Sequence, residues 1–244
     1  MDFKRKSKIQ NMIDKLRGKK PTLKKMRVNN IINVPKRLLK RVDINIIGEN
    51  NKIEIDENAN ISGCIQIKIY GDNNVIRIQR GASIDSAKIS IGQKHRNFGK
   101  VTNSVFEFGE NSSAESLSYD TFNSNSKCII GKGCMISFDV TIYNTDAHPI
   151  FDVNTNEIIN KVKEINIGDH CWIGAHSTIL KNVQIADDCI IGWASVVSGK
   201  HLTPHCAIAG NPAKKVKEGI TWHPNGSNGY VQNIIEKESN VNVW

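Results

Sequence analysis

Ile167-Gly-Asp-His-Cys-Trp-Ile173-Gly-Ala-His-Ser-Thr-Ile179-Leu-Lys-Asn-Val-Gln-Ile185-Ala-Asp-Asp-Cys-Ile-Ile191-Gly-Trp-Ala-Ser-Val-Val197 carries a β-branched aliphatic residue at every sixth position, and Thr203 and Ala209 continue the count. A period of six fits neither an amphipathic helix nor an alternating strand. It fits a hexapeptide β-solenoid, in which each rung is a short strand and a bend. The aliphatic side chain points inward. The fourth position after it (Cys171, Ser177, Val183, Cys189, Ser195) is small and also faces a narrow core, where larger groups would overpack. The next position is often small as well (Gly168, Gly174, Ala186, Gly192, Ser198), and the glycines are expected to make the tight bends.

The period extends unevenly towards the N-terminus. Ile130, Ile136 and Ile142 keep the count of six. Gly48-Glu-Asn-Asn-Lys-Ile-Glu-Ile-Asp-Glu-Asn-Ala-Asn-Ile61 is echoed by Gly71-Asp-Asn-Asn-Val-Ile-Arg-Ile-Gln-Arg-Gly-Ala-Ser-Ile84, an internal repeat of one supersecondary unit. Residues 92–127 lose the period and read as imperfect coils with long loops. Residues 143–164 contain no hexad, which predicts a loop thrown out of the solenoid; long loops in compact domains are usually functional or disordered.

Charge is unevenly placed. Residues 1–41 hold 15 Lys/Arg and 2 acids, so the net charge of +9 belongs to the N-terminal segment. Phe3, Ile9, Met12, Ile13 and Leu16 give a helical stripe there, ended by Gly18 and Pro21. The expected organisation is a basic helical arm (1–42), a solenoid domain (43–217) and a tail (218–244), with a helical stretch near 231–238. The arm is a solvated or subunit-docking helix, or it contacts an anionic polymer or an acidic membrane surface. No aromatic platform accompanies the charge, which argues against nucleic-acid binding. No apolar run is long enough to span a membrane, and no apolar stretch follows the basic start as a secretory signal requires. The six cysteines lack the spacing of a disulfide or metal framework. They read as reduced structural thiols of a cytoplasmic protein with at most peripheral contact with the inner membrane face.

Several segments together resemble the hexapeptide-repeat acyltransferases, left-handed parallel β-helix enzymes. They are Asp146-Ala-His-Pro-Ile-Phe151, Ile167 to Gly174, and Ile191 to Val197 continuing to Ala209-Gly-Asn-Pro-Ala-Lys214. Cys134-Met-Ile-Ser-Phe-Asp-Val140 and Ile220-Thr-Trp222 are similar to the branch that O-acetylates capsular and other surface polysaccharides. The resemblance implies an all-β prism with three rungs per turn, so that residues about 18 apart stack: Gly174 on Gly192, Ala175 on Trp193, Cys171 on Cys189, Ser177 on Ser195. Two stacked glycines would then floor a groove for a long, thin ligand. It further implies a homotrimer with active sites between subunits and acetyl-CoA as co-substrate, with no metal expected.

Carried onto this chain, the resemblance makes His148 the general base and puts Trp172 by the reaction centre. Asp146 either orients the imidazole or caps a turn. Ala175, Trp193 and Ser195 line the cofactor edge, and Lys200, Lys214 and Lys217 suit the CoA phosphates. Many members have a small residue where Trp193 stands, so a tryptophan there narrows the cofactor groove or reshapes the acceptor side. A sugar hydroxyl is a weak nucleophile whose proton must leave as it attacks a thioester, and a neutral imidazole suits that step. Backbone N–H groups or an indole N–H would stabilise the oxyanion. No covalent acyl-enzyme is needed, so Cys171 need not be a nucleophile.

The alternatives are an acetyltransferase for a small sugar or sugar amine, a non-catalytic assembly solenoid, and a zinc hydratase using His170 and His176. Those two histidines lie one rung apart on adjacent prism faces, so a metal site would need a second subunit.

Overall fold

The computed structural model describes residues 29–94 and 99–225. The expected N-terminal helix over 3–16 and the tail helix near 231–238 lie outside these residues. The described chain winds as a three-faced parallel β-solenoid. One face is an eight-stranded sheet from Ile31–Asn33 through Lys52–Ile55, Val75–Ile78, Val105–Phe108, Lys127–Ile130, Glu164–Ile167 and Gln184–Ile185 to Lys200–His201. The second face carries Met135–Ile136, Trp172–Ile173, Ile190–Ile191 and Cys206–Gly210. The third carries Val42–Ile47, Val140–Tyr143, Thr178–Leu180 and Val196–Val197. Three long strands, Asn60–Asp72, Ser83–Ile91 and Ser113–Thr121, bend around the edge between the second and third faces. All pairings in the stack are parallel until Ala213–Glu218, which folds back antiparallel on Cys206–Gly210.

The hexad aliphatics form the core. Ile167, Ile173, Ile179, Ile185, Ile191 and Val197 are buried, as are the small residues Cys171, Ser177, Val183, Cys189 and Ser195. The expected stacking also holds: Trp172 pairs with Ile190 and Ile173 with Ile191, a shift of 18. The count then slips. Ile191 pairs with Ile208, not Ala209, and Ile208 takes the core place while Thr203 is exposed. The turn at Ser198-Gly199 shortens that coil.

The glycines do not make the bends. Left-handed backbone recurs at period six on other residues: His170, His176, Asn182, Asp188 and Ala194, with φ between 53° and 61°. Gly168, Gly174 and Gly192 are absent from the left-handed set. They are required because the next coil approaches too closely for a side chain. A Cβ on Gly174 would lie 2.6 Å from the Ile191 carbonyl oxygen, and one on Gly168 2.7 Å from the Ala186 carbonyl carbon. The space beside Gly174 is therefore filled by neighbouring backbone, and that beside Gly192 by the Ala209 methyl at 2.8 Å, so the stacked pair does not floor an open groove.

The N-terminal coils are larger. The internal repeat is in register at a shift of 23, with Lys52 opposite Val75 and Ile61 opposite Ile84. Its paired asparagines have separate tasks. Asn50 and Asn73 turn the corner in left-handed backbone. Asn51 and Asn74 are buried and run a ladder along the axis. Asn51 Nδ2 donates to the Gly71 carbonyl (2.8 Å), and the Asn74 backbone N–H donates to Asn51 Oδ1 (3.0 Å). Asn74 then donates to the Val101 carbonyl and accepts from the Ser104 N–H. Buried amides need such partners, and the solenoid supplies one per coil.

Two expectations change. The strand Ile31–Asn33 pairs with Lys52–Ile55, so the sheet extends into the segment read as part of the basic arm. Of residues 92–127, read as imperfect coils with long loops, 101–127 form an ordered coil in register with its neighbours. Its core positions are filled by Phe106, Phe108, Leu117 and Tyr119, and its length differs from three hexads, which hid it from a search for isoleucine at period six. Among the described residues no helix is long and apolar enough to cross a membrane.

Candidate active site

The prism opens on the edge between its third and first faces. The chain leaves after Val140–Tyr143 and returns at Glu164–Ile167. Asn144 and Thr145 are still buried and anchor the departure. Asn144 Nδ2 donates to the Lys127 carbonyl (2.9 Å), and Thr145 Oγ1 donates to Asn123 Oδ1 (2.6 Å). The Ala147 N–H donates back to Thr145 Oγ1 at 2.9 Å. Ala147 has φ of 65°, and the His148 N–H donates to the Asp146 carbonyl at 2.7 Å, closing a three-residue turn around it. Such turns with positive φ are rare and strained for a residue with a Cβ. Backbone strain of this kind persists where surrounding contacts over-determine it, and it clusters at functional sites. The turn lifts His148 out of the wall, and the residue is exposed.

Asn160 supplies the over-determination. Its Nδ2 donates to Asp146 Oδ2 (2.8 Å) and to the His148 carbonyl (2.9 Å), while its Oδ1 accepts from the Ile150 N–H (2.8 Å). Lys181, from the following coil, pairs with Asp146 Oδ2 at 3.0 Å. Asp146 therefore ties the loop to the prism through Lys181 and Asn160. The neighbouring corners enclose a cavity of about 400 Å³ in which Asn123, Ser124 and Asn125 face His148 and Asn160. Beyond it, residues 150–159 form a short antiparallel excursion bridged at Phe151 and Ile158. Its paired base exposes Ile150, Phe151, Ile158 and Ile159, and Val153 is 95% exposed in the otherwise polar turn at its tip.

Trp172 lies elsewhere, on the second face. Its indole N–H donates to Ser137 Oγ at 3.2 Å, and its ring stands 6.1 Å from that of Trp222. Trp222 stacks on His170 at 4.5 Å and donates to the His170 carbonyl at 2.7 Å. His170 Nδ1 lies 2.6 Å from Asp188 Oδ1. His176 occupies the edge between the second and third faces, against Phe138 and Trp193. The two histidines thus belong to different edges of one prism.

The residues expected along the cofactor edge divide. Trp193 is 63% exposed and meets Phe138 edge-on at 5.2 Å, forming an aromatic ridge. Lys200, Lys214 and Lys217 are exposed on the terminal coils, the latter two on Ala213–Glu218. Ala175 and Ser195 are buried. Ala175 is 1% exposed, and buried Ser195 accepts the Gly210 N–H on its Oγ at 3.1 Å. Both side chains pack into the prism.

Within one chain the structure gathers His148, Asp146, Asn160 and Lys181, and it holds Trp172, Trp193 and the lysines apart from them. Asn160 and Lys181 escaped the sequence reading. Lys181 precedes the corner residue Asn182 in a hexad, and Asn160 sits in a stretch without period, so neither position stands out before the loop is folded.

Comparison with known proteins agrees with the solenoid fold. Residues 164–199 match the family model for bacterial transferase hexapeptide (six repeats). The chain is 32% identical over 200 residues to the polysialic acid O-acetyltransferase of Neisseria meningitidis, covering 80% of this chain and 86% of that one. It is 38% identical over 93 residues to the polysialic acid O-acetyltransferase of Escherichia coli O1:K1 / APEC, a match spanning 30% of that protein. Among solved structures, the polySia-specific acetyltransferase NeuO superposes with a TM-score of 0.67 at 25% identity, over 84% of this chain and 94% of the other. The polysialic acid O-acetyltransferase OatWY gives 0.60 at 26% identity, over 86% and 96%. Their architecture is the left-handed β-helix.

Proposed function

This chain belongs to the hexapeptide-repeat O-acetyltransferases that act on surface polysaccharides, and on that premise we propose that it moves acetyl from acetyl-CoA to a hydroxyl of an anionic capsular polymer of the polysialic acid class. The observation that carries the reading is the presentation of His148. A strained turn, clamped by Asn160 and by the Asp146–Lys181 pair, holds the exposed His148 at a cavity that carries Asn123, Ser124 and Asn125 beside apolar Pro149, Ile158 and Val162. In the reaction, the acceptor hydroxyl gives its proton to His148 as its oxygen attacks the thioester carbonyl. The tetrahedral intermediate collapses, the thiolate leaves, and the proton on the imidazole returns to it. No acyl-enzyme forms.

Trp172 lies on another face, so we assign its place at the reaction centre to a neighbouring copy in a homotrimer. The exposed apolar residues Ile150, Phe151, Ile158 and Ile159 at the base of the excursion support such a contact, since exposed apolar surface marks interaction sites. Exposed Lys200, Lys214 and Lys217 suit the CoA phosphates as mobile point charges, and the Trp193 ridge suits its apolar arm. The buried thiols favour a reducing compartment and thus the cytoplasm.

The test is direct. Purified protein is incubated with acetyl-CoA and polysialic acid, a neutral glucan, free sialic acid and an amino sugar, and the products are weighed by mass spectrometry. Acetyl ester on the polymer, lost on mild base, is expected. Transfer confined to a sugar amine or a small sugar, or no transfer to any acceptor, would replace this reading.

A further inference from the structure

A second cavity, of about 390 Å³, lies on the third face, against the edge from which His148 projects. Its floor is a column of outward positions stacked in register: Asn45, Lys68, Ser90, Asp120 and Tyr143. Four strand spacings of ~4.8 Å make this column about 19 Å long. Lys88 and Lys94 flank it, with Tyr70 and Phe122 as aromatic walls. Lys88 pairs with Asp120 at 3.6 Å, leaving Lys68 and Lys94 in excess on the exposed surface.

The groove continues to the candidate active site. Phe122 adjoins Asn123, which lines the cavity of His148, and meets Tyr143 edge-on at 6.3 Å. Tyr143 is the last residue before the ejected loop. Burial, together with Asp120 on one side and Asp146 on the other, raises its phenol above the ordinary range, so the phenol stays a neutral donor between the two cavities.

We infer that this groove is a subsite for a carboxylate-bearing saccharide polymer, laid along the prism axis so that a sugar beyond Tyr143 reaches His148. The inference rests on the acetyltransferase reading and extends it to the residues that hold the acceptor. The chemistry is that of an anionic sugar chain. Lys68, Lys88 and Lys94 meet carboxylates, Asn45, Ser90 and Gln93 meet hydroxyls, and the faces of Tyr70, Phe122 and Tyr143 meet the apolar sides of rings.

The experiment compares the parent chain with the Lys68→Gln/Lys94→Gln double variant, both exposed positions outside the His148 machinery. Binding of polysialic acid, neutral dextran and polyglutamate is measured at fixed salt without acetyl-CoA, and the KM for polysialic acid is measured with it. Weaker polysialic acid binding by about tenfold is expected, the size of two partly exposed ion pairs lost together, with a matching rise in polymer KM, unchanged kcat and unchanged KM for acetyl-CoA. Dextran should not bind, and polyglutamate binding should change less than twofold. Absence of polysialic acid binding by the parent, equal loss on polyglutamate, competition by CoA, or an unchanged polymer KM in the variant each overturns the groove. A parent that binds polysialic acid through Lys68 and Lys94 but never acetylates it would refute the proposed activity and leave the groove standing.

Discussion

The side-chain amide of Asn160 donates to the main-chain carbonyl of His148 across 2.9 Å. The same nitrogen reaches Asp146, and the amide oxygen takes the Ile150 N–H. One side chain therefore closes three sides of the strained turn from which the imidazole projects. The solenoid supplies rigid edges, but a loop outside it needs its own constraint. Asn160 and the pair of Asp146 with Lys181 provide one that costs no core volume.

Replacing Asn160 by Ala should lower kcat about tenfold or more while leaving the KM for acetyl-CoA within twofold, because misplacing a reacting group by a fraction of an ångström costs rate before affinity. Asn160→Asp should be worse than Asn160→Ala, since a carboxylate would face Asp146 and the His148 carbonyl. Steady-state thiol release over a range of both substrates reads the split. A loss confined to KM, or to melting temperature, would make Asn160 a structural residue only.

His148→Ala should reduce transfer by roughly 10²–10⁴-fold, the contribution of a positioned general base. The side chain is exposed and outside the core, so the thermal midpoint should stay near that of the parent. Retention of more than a tenth of the parent rate would move the base to another residue or turn the protein into an assembly solenoid.

Gly168 and Gly133 separate two reasons for glycine. A Cβ on Gly168 would meet the Ala186 carbonyl carbon at 2.7 Å and Asp187 Oδ1 at 2.4 Å, and backbone cannot yield as a side chain can. Gly133 has φ of 62° and open space around its missing Cβ. Gly133→Ala should cost the left-handed penalty alone, about 1–2 kcal/mol. Gly168→Ala should cost about 3 kcal/mol, the upper part of the overpacking range, and shift the melting temperature further. Equal effects would contradict the close approach of coils.

Much of this was legible in the chain, and the limits have physical causes. Isoleucine at period six fixes the inward face because a narrow prism admits one branched side chain per rung, so Ile167 to Val197 can be placed before folding. The Asn pairs at 50–51 and 73–74 announce a repeat, although only the folded coil shows that one member turns and the other runs a buried ladder. Glycine at 168 and 174 was misread because sequence does not separate a bend from a close approach. The bends fall to His170, His176, Asn182, Asp188 and Ala194, of which Asn182 and Asp188 carry a turn signature and Ala194 carries none. The coil with Phe106 and Tyr119 was missed because aromatic residues fill its core. The groove beside Tyr143 takes residues from five coils, Asn45 to Tyr143, and no local window contains it.

The cysteines give the last prediction. Cys134, Cys171, Cys189 and Cys206 occupy the same small inward position in successive coils. The Cys171 N–H donates to Cys134 Sγ at 3.4 Å, and Cys189 Sγ lies 3.6 Å from Cys206 Sγ. All four are buried, as is Cys128, while Cys64 is half-buried with its thiol pushed up by burial and by Asp43. Burial raises the Cys128 thiol too, and it has no solvent path. A thiol reagent at neutral pH should therefore modify Cys64 slowly and the other five only after denaturation. Cys171 adjoins Trp172 in sequence, and an acyl-cysteine route would have to use it. Yet its sulfur points into the prism, away from the face that carries the indole. Cys171→Ala should keep kcat within about twofold and cost stability alone, on the order of 1 kcal/mol for the small void. Loss of transfer beyond a hundredfold with the fold intact, or an acetylated Cys171 peptide trapped during turnover, would replace direct attack on the thioester by a two-step reaction.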